Sequence, residues 1–251
     1  MLRELLEEII PVNKQFRNFE VRHEFPSIGL KVMMLNGKRI EQKGGHQQLI
    51  LLAIEDITEK KQAEDHLRYV SFHDTVTGLY NRVFIEEEIK RLDTKRFLPI
   101  CFIMGDVNYL KLTNDAFGHE EGDLLLQEMA KVLKSSCRAE DIVARFGSDE
   151  FLILLPKTSY ATATRIVDRI EKRCRKISVL MLRPSIALGI SCKKKTNDNI
   201  LNTIKTAEKS MYNNKVTENK QNRENIIASL LAIMEQNTPG TIKHVQRVKD
   251  L

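Results

Sequence analysis

The chain has 251 residues and a formal net charge of +6, with 42% hydrophobic and 29% charged side chains. These values are ordinary for globular proteins, which excludes a disordered or collagen-like chain and leaves room for one or two domains. Every apolar run is far shorter than the ~18 residues of a membrane span, so we expect no transmembrane helix. Early acidic residues and four cysteines without a CxxC pair indicate no secretory signal, no zinc site, no disulfide framework and a cytoplasmic location.

The first part of the chain is predicted to form three strands followed by a helix. Apolar and polar side chains alternate over 19–25, a second extended run covers 30–35, and a third strand is expected at 48–54. The dipeptide Asn36-Gly37 is typical of a hairpin turn and should end the second strand. The helix expected at 59–72 has one apolar stripe, which fits either a solvated linker or a coiled coil that pairs two subunits.

The remainder alternates strand and helix signals, which is typical of an α/β or α+β domain. We expect strands at 98–104, 142–146, 151–155 and 185–191, and helices at 122–133, 161–175, 200–212 and 224–235. Between two of these strands, Gly147-Ser148 predicts a two-residue turn of type II′.

Three carboxylates lie at the ends of two predicted strands. Asp106 closes one apolar run, while Asp149 and Glu150 open another. If these strands are neighbours in a sheet, the carboxylates converge and repel one another unless a cation neutralises them. Hard oxygen ligands suit Mg²⁺, so the pattern indicates a metal site. The alternative is that each acid is an ordinary strand-end or turn residue.

A polar segment, NDAFGHEEGD, lies just before and at the start of the helix predicted at 122–133. Asp123 has two interpretations: the N-cap of that helix, or a carboxylate that accepts hydrogen bonds from the ring and exocyclic nitrogens of guanine. In the second interpretation the Asn114 amide donates to the guanine O6 oxygen.

The string RFGSDEF, from Arg145 to Phe151, is similar to the signature of GGDEF-domain diguanylate cyclases. It is preceded by DTVTGLYNR from Asp74 and by GDVNYLKLTNDAFGHEEGD, and it is followed by SIALGIS and AEKSMYNNK, which ends at Lys215. Several motifs in the family's order confirm one another's context. The resemblance implies an α/β (α+β) palm-like fold, with a central five-stranded, mainly antiparallel sheet flanked by helices.

The same resemblance implies the synthesis of cyclic di-GMP from two GTP molecules, with release of pyrophosphate and with Mg²⁺ or Mn²⁺ as cofactor. The implied catalytic residues are Asp149, Glu150 and Lys111, and the implied metal ligands are Asp106, the Val107 carbonyl, Asp149 and Glu150. The implied substrate contacts are Asn114, His119, Asp123, Leu126, Gly147, Ser148 and Lys215. Because each domain holds one GTP, the resemblance also implies a homodimer.

A second site is implied by Arg138 and Asp141, which match the RxxD motif at which the family binds cyclic di-GMP as an inhibitor. An Arg fork suits guanine and phosphate contacts, and the carboxylate can accept from the guanine edge. The alternative is an exposed ion pair between residues i and i+3.

The sequence departs from the family at two places. Ser148 stands where the signature usually has its second glycine, and Glu218-Asn219-Lys220 replaces the usual GRN ending, so that only Lys220 can substitute for the phosphate-binding arginine. The alternative function is therefore a weakened module that binds GTP or cyclic di-GMP and regulates its neighbours.

The flanking segments resemble parts of other signalling domains. Residues 1–57 are similar to the C-terminal part of a PAS sensor domain, 58–73 form the linker helix, 74–220 the cyclase domain, and 221–251 the start of an HD-type phosphodiesterase domain. His244 matches an early metal ligand of that last family, although a lone histidine is more often structural. No nucleic-acid partner is expected, since the chain lacks tryptophan and any recognisable nucleic-acid motif.

Overall fold

The computed structural model describes residues 15–41, 48–177 and 184–217. Within it the chain divides into two compact units, Met1–Tyr69 and Val70–Leu251. No helix in these ranges is both long and apolar enough to cross a membrane. The predicted helix at 224–235, the altered ending at 218–220 and His244 lie outside the described residues.

The first unit contains a three-stranded antiparallel sheet whose strands lie side by side in chain order. Its strands are β1 (Gln15–Phe25), β2 (Gly29–Glu41) and β3 (Gln48–Asp56), and helix α1 (Thr58–Phe72) follows. The three predicted strands and the helix are confirmed. Leu67, in the predicted apolar stripe of α1, is 64% exposed, which is compatible with either interpretation of this helix.

The predicted hairpin turn at Asn36-Gly37 is wrong. Strand β2 continues through both residues, and each is paired with a residue of β3. The second strand ends at Glu41, and the turn before it, between β1 and β2, lies at 26–28 next to Gly29, which has a φ of +72°. Gly37 is required for a different reason: the Phe16 ring lies where a Cβ of residue 37 would be, so no other residue fits without a shift.

The second unit contains a four-stranded antiparallel sheet with strand order β5-β6-β4-β7. The strands are β4 (Ile100–Val107), β5 (Ile142–Arg145), β6 (Glu150–Leu155) and β7 (Ile186–Lys193). The helices are α2 (Arg82–Leu92), α3 (Leu110–Phe117), α4 (His119–Ser136), α5 (Tyr160–Cys174) and α6, which is helical over 200–217. This combination of helices with an antiparallel sheet confirms the predicted α/β (α+β) fold class. The described residues supply four strands where the resemblance implied five.

The central strand β4 is buried along its whole length because both faces of the sheet are covered. Ile103 faces a cluster that includes residues of α4 and α5, while Phe102 faces a second cluster with residues of α2 and α6. Both side chains are fully buried, and burial of a side chain of this size stabilises a fold by about 1.5–3 kcal/mol. Burial on both faces explains the continuous apolar run seen in the sequence.

A disulfide joins Cys101 of β4 to Cys192 of β7, so the expectation that the cysteines would not pair is wrong. The two residues are separated by 91 positions in the sequence, but they lie directly opposite each other in the β4–β7 register. Such proximity depends on strand order, which spacing along the chain cannot show. Cys137 and Cys174 are free thiols, and burial raises their pKa values to about 12 and about 11.

Candidate active site

The end of β4 meets the start of β6 at one edge of the sheet. Asp106 lies opposite Glu150 in the register of the two strands. The Val107 N–H donates to the Asp149 carbonyl at 2.9 Å, which ties the two strand ends together. The structure therefore brings together the three carboxylates that the sequence placed at strand ends.

Asp106 is the most enclosed of these carboxylates. Its side chain is only 10% exposed, and its Oδ1 atom accepts a hydrogen bond from the Lys215 ammonium of α6 at 2.6 Å. Burial raises the pKa of Asp106 and the nearby Asp149 charge adds to the rise, while Lys215 opposes it. The ion pair with Lys215 therefore offsets part of the free-energy cost of burying the Asp106 charge beside another carboxylate.

Glu150 experiences the same crowding. Burial raises its pKa first, and the charges of Asp106, Asp149 and Glu208 raise it further. Glu208 is a site residue that sequence reasoning missed. The signal was its spacing, since Glu208 and Lys215 are seven residues, or about two helical turns, apart on α6 and so share a face.

A cleft of about 550 Å³ opens beside these carboxylates. Its charged lining consists of Asp106, Glu150, Lys205, Glu208, Lys209 and Lys215. Carboxylates therefore line the sheet edge, and the helix that faces it contributes three lysines and Glu208. Such a cleft can accept a divalent cation on the acidic side and phosphate groups on the basic side.

The loop between β5 and β6 does not form the predicted type II′ turn. Four residues, 146–149, separate the strands, and Gly147 has no positive φ, which that turn requires at its first central position. The N–H groups of Phe146 and Gly147 both donate to the Glu150 carbonyl, at 2.8 and 3.2 Å. We name residues 146–149 the signature loop.

Arg145 shapes the signature loop. Its Nε and Nη2 donate to the Ser148 carbonyl at 3.2 and 2.6 Å, while Nη1 lies 3.2 Å from each carboxylate oxygen of Asp74. Burial alone would raise the pKa of Asp74, but hydrogen bonds from Thr77 and the Arg145 charge lower it overall. In the sequence, Asp74 and Arg145 belong to two separate motifs. The fold brings the two side chains into contact.

Ser148 contacts the candidate metal-binding edge directly. Its hydroxyl donates to Asp149 Oδ1 at 2.8 Å, so one oxygen of that carboxylate is engaged. Within the part of the chain that the structure describes, no group of three or more potential metal ligands is arranged around a common point. The donor set still fits a hard divalent cation, because it consists of oxygens whose mutual repulsion such an ion would relieve.

The residues predicted to read guanine lie at the junction of α3 and α4. The Asn114 carboxamide lies against Gly122, where any Cβ would overlap its oxygen, so glycine permits the close approach of the two helices. Helix α4 begins at His119 rather than at residue 122, and its N-cap is Gly118. The interpretation of Asp123 as an N-cap is therefore wrong, and its side chain is exposed.

Three further predicted substrate contacts differ in their accessibility. Lys111 on α3 and His119 at the start of α4 are exposed. Leu126 is 2% exposed and belongs to the hydrophobic core beneath α4. Of the three, only Lys111 and His119 present their side chains to solvent in this conformation.

The predicted ion pair between Arg138 and Asp141 is not formed by their side chains. Asp141 Oδ2 instead accepts the backbone N–H of Arg138 at 2.7 Å, and Asp141 is 3% exposed, so burial raises its pKa. The Arg138 guanidinium is 3.8 Å from Glu140, with both side chains exposed. Arg138 therefore presents a cation to solvent while Asp141 holds the local backbone.

A basic groove of about 410 Å³ adjoins Arg138 between the end of α4 and α5. Its arginines are Arg138, Arg165, Arg169 and Arg173. Sequence reasoning missed the last three as partners of Arg138, although their spacing of four residues along α5 places them on one helix face. Arg169 donates to the Ser136 carbonyl at 3.0 Å, which joins the two helices.

Solved structures define the class of this unit. The GGDEF domain of PA1120 (TpbB or YfiN) from Pseudomonas aeruginosa matches with a TM-score of 0.54 and 31% identity, over 58% of this chain and 89% of that one. Diguanylate cyclase SiaD from the same organism matches with a TM-score of 0.56 and 26% identity, over 63% and 64% of the two chains. The second unit therefore has the fold of a GGDEF domain.

Sequence comparison gives the family. The family described as "Diguanylate cyclase, GGDEF domain" matches residues 71–222, which is more than half of the chain, and the chain belongs to it. Diguanylate cyclase DgcM of Escherichia coli K12 is 31% identical over 169 residues, which cover 66% of this chain and 41% of DgcM. Response regulator PleD of Caulobacter vibrioides is 31% identical over 162 residues, covering 61% and 36%.

The chain thus spans less than half the length of these curated relatives. The family match covers residues 71–222 of the second unit and leaves the PAS-like and HD-type segments as predictions. The domain boundaries predicted at 57, 73 and 220 also remain predictions.

Proposed function

We propose that the second unit is a diguanylate cyclase that condenses two GTP molecules into cyclic di-GMP and releases pyrophosphate. The observation that carries this proposal is the convergence of Asp106, Asp149 and Glu150 beside a cleft whose opposite wall bears Lys215. Family membership supports the reaction class, and the relative DgcM is itself named a diguanylate cyclase.

Asp106, the Val107 carbonyl, Asp149 and Glu150 would hold Mg²⁺ or Mn²⁺. Bound there, the ion supplies Lewis acidity, which lowers the pKa of an attacking 3′-hydroxyl and stabilises charge on the α-phosphoryl group. The protein's own part is to keep these oxygens together on two bonded strands and to exclude water on the core side of Asp106.

The remaining residues would bind and orient the nucleotide. Lys111 and Lys215 would contact phosphates, and the signature loop would bring the backbone of Gly147 and Ser148 near them. Asn114 and Asp123 would read the guanine edge by donating to O6 and accepting from the ring nitrogens, with His119 and Leu126 nearby. Since each unit would bind one GTP, two copies of the chain would face each other during the reaction.

Incubation of the purified chain with GTP and Mg²⁺, followed by nucleotide separation, tests the activity. The variant Asp149→Ala should lose product formation, because a metal ligand is removed from a partly exposed loop that contributes little to the core. The matched control Glu87→Ala removes an exposed carboxylate from α2 and should keep the parent rate. Wild-type turnover in Asp149→Ala would overturn the metal assignment.

A second candidate function is a binding module with little or no turnover. The hydrogen bond from Ser148 to Asp149 favours it, since that bond occupies an oxygen that the metal would need. In this case the chain would bind GTP without consuming it, and the same incubation would return GTP unchanged.

We also propose that cyclic di-GMP binds beside Arg138 as a product inhibitor. The basic groove supports this, because exposed guanidinium groups suit both phosphates and the guanine face. Arg138→Ala should relieve inhibition by added cyclic di-GMP and leave the initial rate unchanged, as the groove is not part of the carboxylate edge. Retention of full inhibition in Arg138→Ala would contradict this assignment.

A further inference from the structure

The contact between Lys215 and Asp106 places an ammonium group on the innermost carboxylate of the candidate metal site. The Nζ–Oδ1 distance is 2.6 Å, and the two residues lie 109 positions apart in the sequence, on α6 and β4. The Asp106 side chain is 10% exposed, whereas Lys215 keeps 28% of its side chain in contact with solvent. Asp106 is therefore fixed within the protein, whereas the Lys215 ammonium can move away toward the cleft.

The surrounding charges explain why an ammonium is stable there. The charge of Asp149 acts on Asp106, and the charges of Asp106, Asp149 and Glu208 act on Glu150, which lies opposite Asp106 in the sheet. A monovalent cation in contact with Asp106 lowers the repulsion among these groups. A divalent cation at the same carboxylate would lower it more, but two cations that share one carboxylate repel each other at such short distances.

We propose that Lys215 is a resident counter-ion of Asp106, which competes with the divalent cation for this carboxylate and turns to the nucleotide phosphates once the cation is bound. The inference rests on the proposed function, because it presumes the metal site. It goes further in giving Lys215 opposite effects on two ligands: Lys215 weakens binding of the metal alone and strengthens binding of the nucleotide.

The flexible four-carbon stem of lysine makes this exchange possible, since the ammonium can move several ångströms without any backbone change. A lysine that only binds phosphates would have no effect on metal affinity in the absence of nucleotide. A lysine that only stabilises the fold would lower the unfolding temperature when removed, again without tightening metal binding. The metal alone is therefore the informative probe.

The test is a Mn²⁺ titration without nucleotide, in which electron paramagnetic resonance measures free Mn²⁺. Removal of the charge in Lys215→Met should tighten Mn²⁺ binding at least about fivefold, the effect expected for one unit charge a few ångströms away in a partly solvated site. The matched control Lys209→Met removes a lysine that lines the same cleft from the same helix but is not the ion-pair partner of Asp106, and it should change the affinity less than about twofold.

A second titration uses a non-hydrolysable GTP analogue in the presence of saturating Mn²⁺. Here Lys215→Met should bind more weakly than the parent chain, so the two ligands respond in opposite directions. Thermal unfolding of each variant verifies folding, and Lys215→Gln replaces Lys215→Met if the latter does not fold.

The outcomes separate the inference from the proposed function. Unchanged or weaker Mn²⁺ binding in Lys215→Met, with clear binding by the parent chain, overturns the competition and leaves the metal site standing. If the parent chain and Lys215→Met bind Mn²⁺ no better than Asp106→Asn, the metal site and the inference fall together.

Discussion

At the scale of single residues, Ser148 is the clearest departure from the family signature. Its hydroxyl is bound to Asp149, and its carbonyl is held by Arg145, so the side chain and the backbone have separate partners. A substitution can therefore remove the first contact and keep the second.

We predict that Ser148→Gly raises the initial rate of cyclic di-GMP formation, since it frees Asp149 Oδ1 and opens the backbone to phosphate. Stability should fall by at most about 1 kcal/mol, because glycine has more conformational freedom in the unfolded chain. Rate assays and thermal unfolding measure the two effects. The control Ser148→Ala removes the hydroxyl and keeps the Cβ, so it separates hydrogen bonding from crowding. A GTP-binding Ser148→Gly protein without turnover would favour the binding module.

Glu150 carries a second prediction at this scale, on stability. Burial and the neighbouring carboxylates raise its pKa above 4.5, so the ionised side chain destabilises the fold at neutral pH. Glu150→Gln should therefore raise the unfolding temperature by about 1–3 °C at pH 7. The gain should shrink as the pH falls through the carboxyl range, where Glu150 becomes protonated in the folded and then in the unfolded state.

Calorimetric scans at several pH values between neutral and acidic conditions measure this trend. Glu87→Gln on α2 is the control, since its exposed carboxylate should leave the unfolding temperature nearly unchanged. A lower unfolding temperature for Glu150→Gln at pH 7 would contradict the prediction and show that the charge makes favourable contacts.

At the scale of elements, Arg145 and Asp74 connect the signature loop to the segment that precedes α2. Both side chains are largely buried, with 14% and 20% exposed. A double-mutant cycle with Arg145→Gln and Asp74→Asn should therefore give a coupling of about 0.5–3 kcal/mol in the free energy of unfolding.

The exposed pair Arg175–Glu171 at the end of α5, with side chains 77% and 43% exposed, is the matched control for this cycle. Surface pairs four residues apart on a helix contribute only about 0.2–0.5 kcal/mol. Denaturant unfolding of both cycles gives the comparison. Equal coupling in the two cycles would mean that Arg145 and Asp74 do not act together in shaping the loop.

The elements also show which features a sequence can predict. Strands β4 and β6 were predictable because their apolar runs are buried on both faces, and the convergence of their acids followed once the strands were taken as neighbours. The turns predicted at Asn36-Gly37 and Gly147-Ser148 do not form, because other partners override the local preference: β3 pairs with both residues in the first case, and the Arg145 guanidinium holds the Ser148 carbonyl in the second.

The candidate site likewise contains some residues that the sequence could predict and others that it could not. Asp106, Asp149 and Glu150 could be singled out because carboxylates at strand ends are visible in the sequence. Glu208 and the Lys215–Asp106 contact depend on how α6 lies against the sheet, which no local pattern encodes. The disulfide between β4 and β7 was missed for the same reason, since it depends on strand order.

At the scale of the whole molecule, the proposed reaction needs two copies of the chain. The rate of pyrophosphate release per mole of protein should therefore rise with protein concentration at saturating GTP, and level off once the dimer predominates. Sedimentation or light scattering at the same concentrations relates the rate to the fraction of dimer. A constant rate per mole while that fraction changes at least tenfold would contradict a dimeric catalyst.

The last residues of α1, from Val70 onward, belong to the second unit, and hydrogen bonds connect them to the signature loop. The Ser71 carbonyl accepts from the Asn81 carboxamide at 3.0 Å, and the neighbouring Tyr80 carbonyl accepts from the Arg145 N–H at 2.8 Å. The Arg145 guanidinium in turn holds the Ser148 carbonyl. These hydrogen bonds form a continuous path within the second unit, so we expect a displacement of Ser71 to reach Ser148 through residues 80–81 and Arg145.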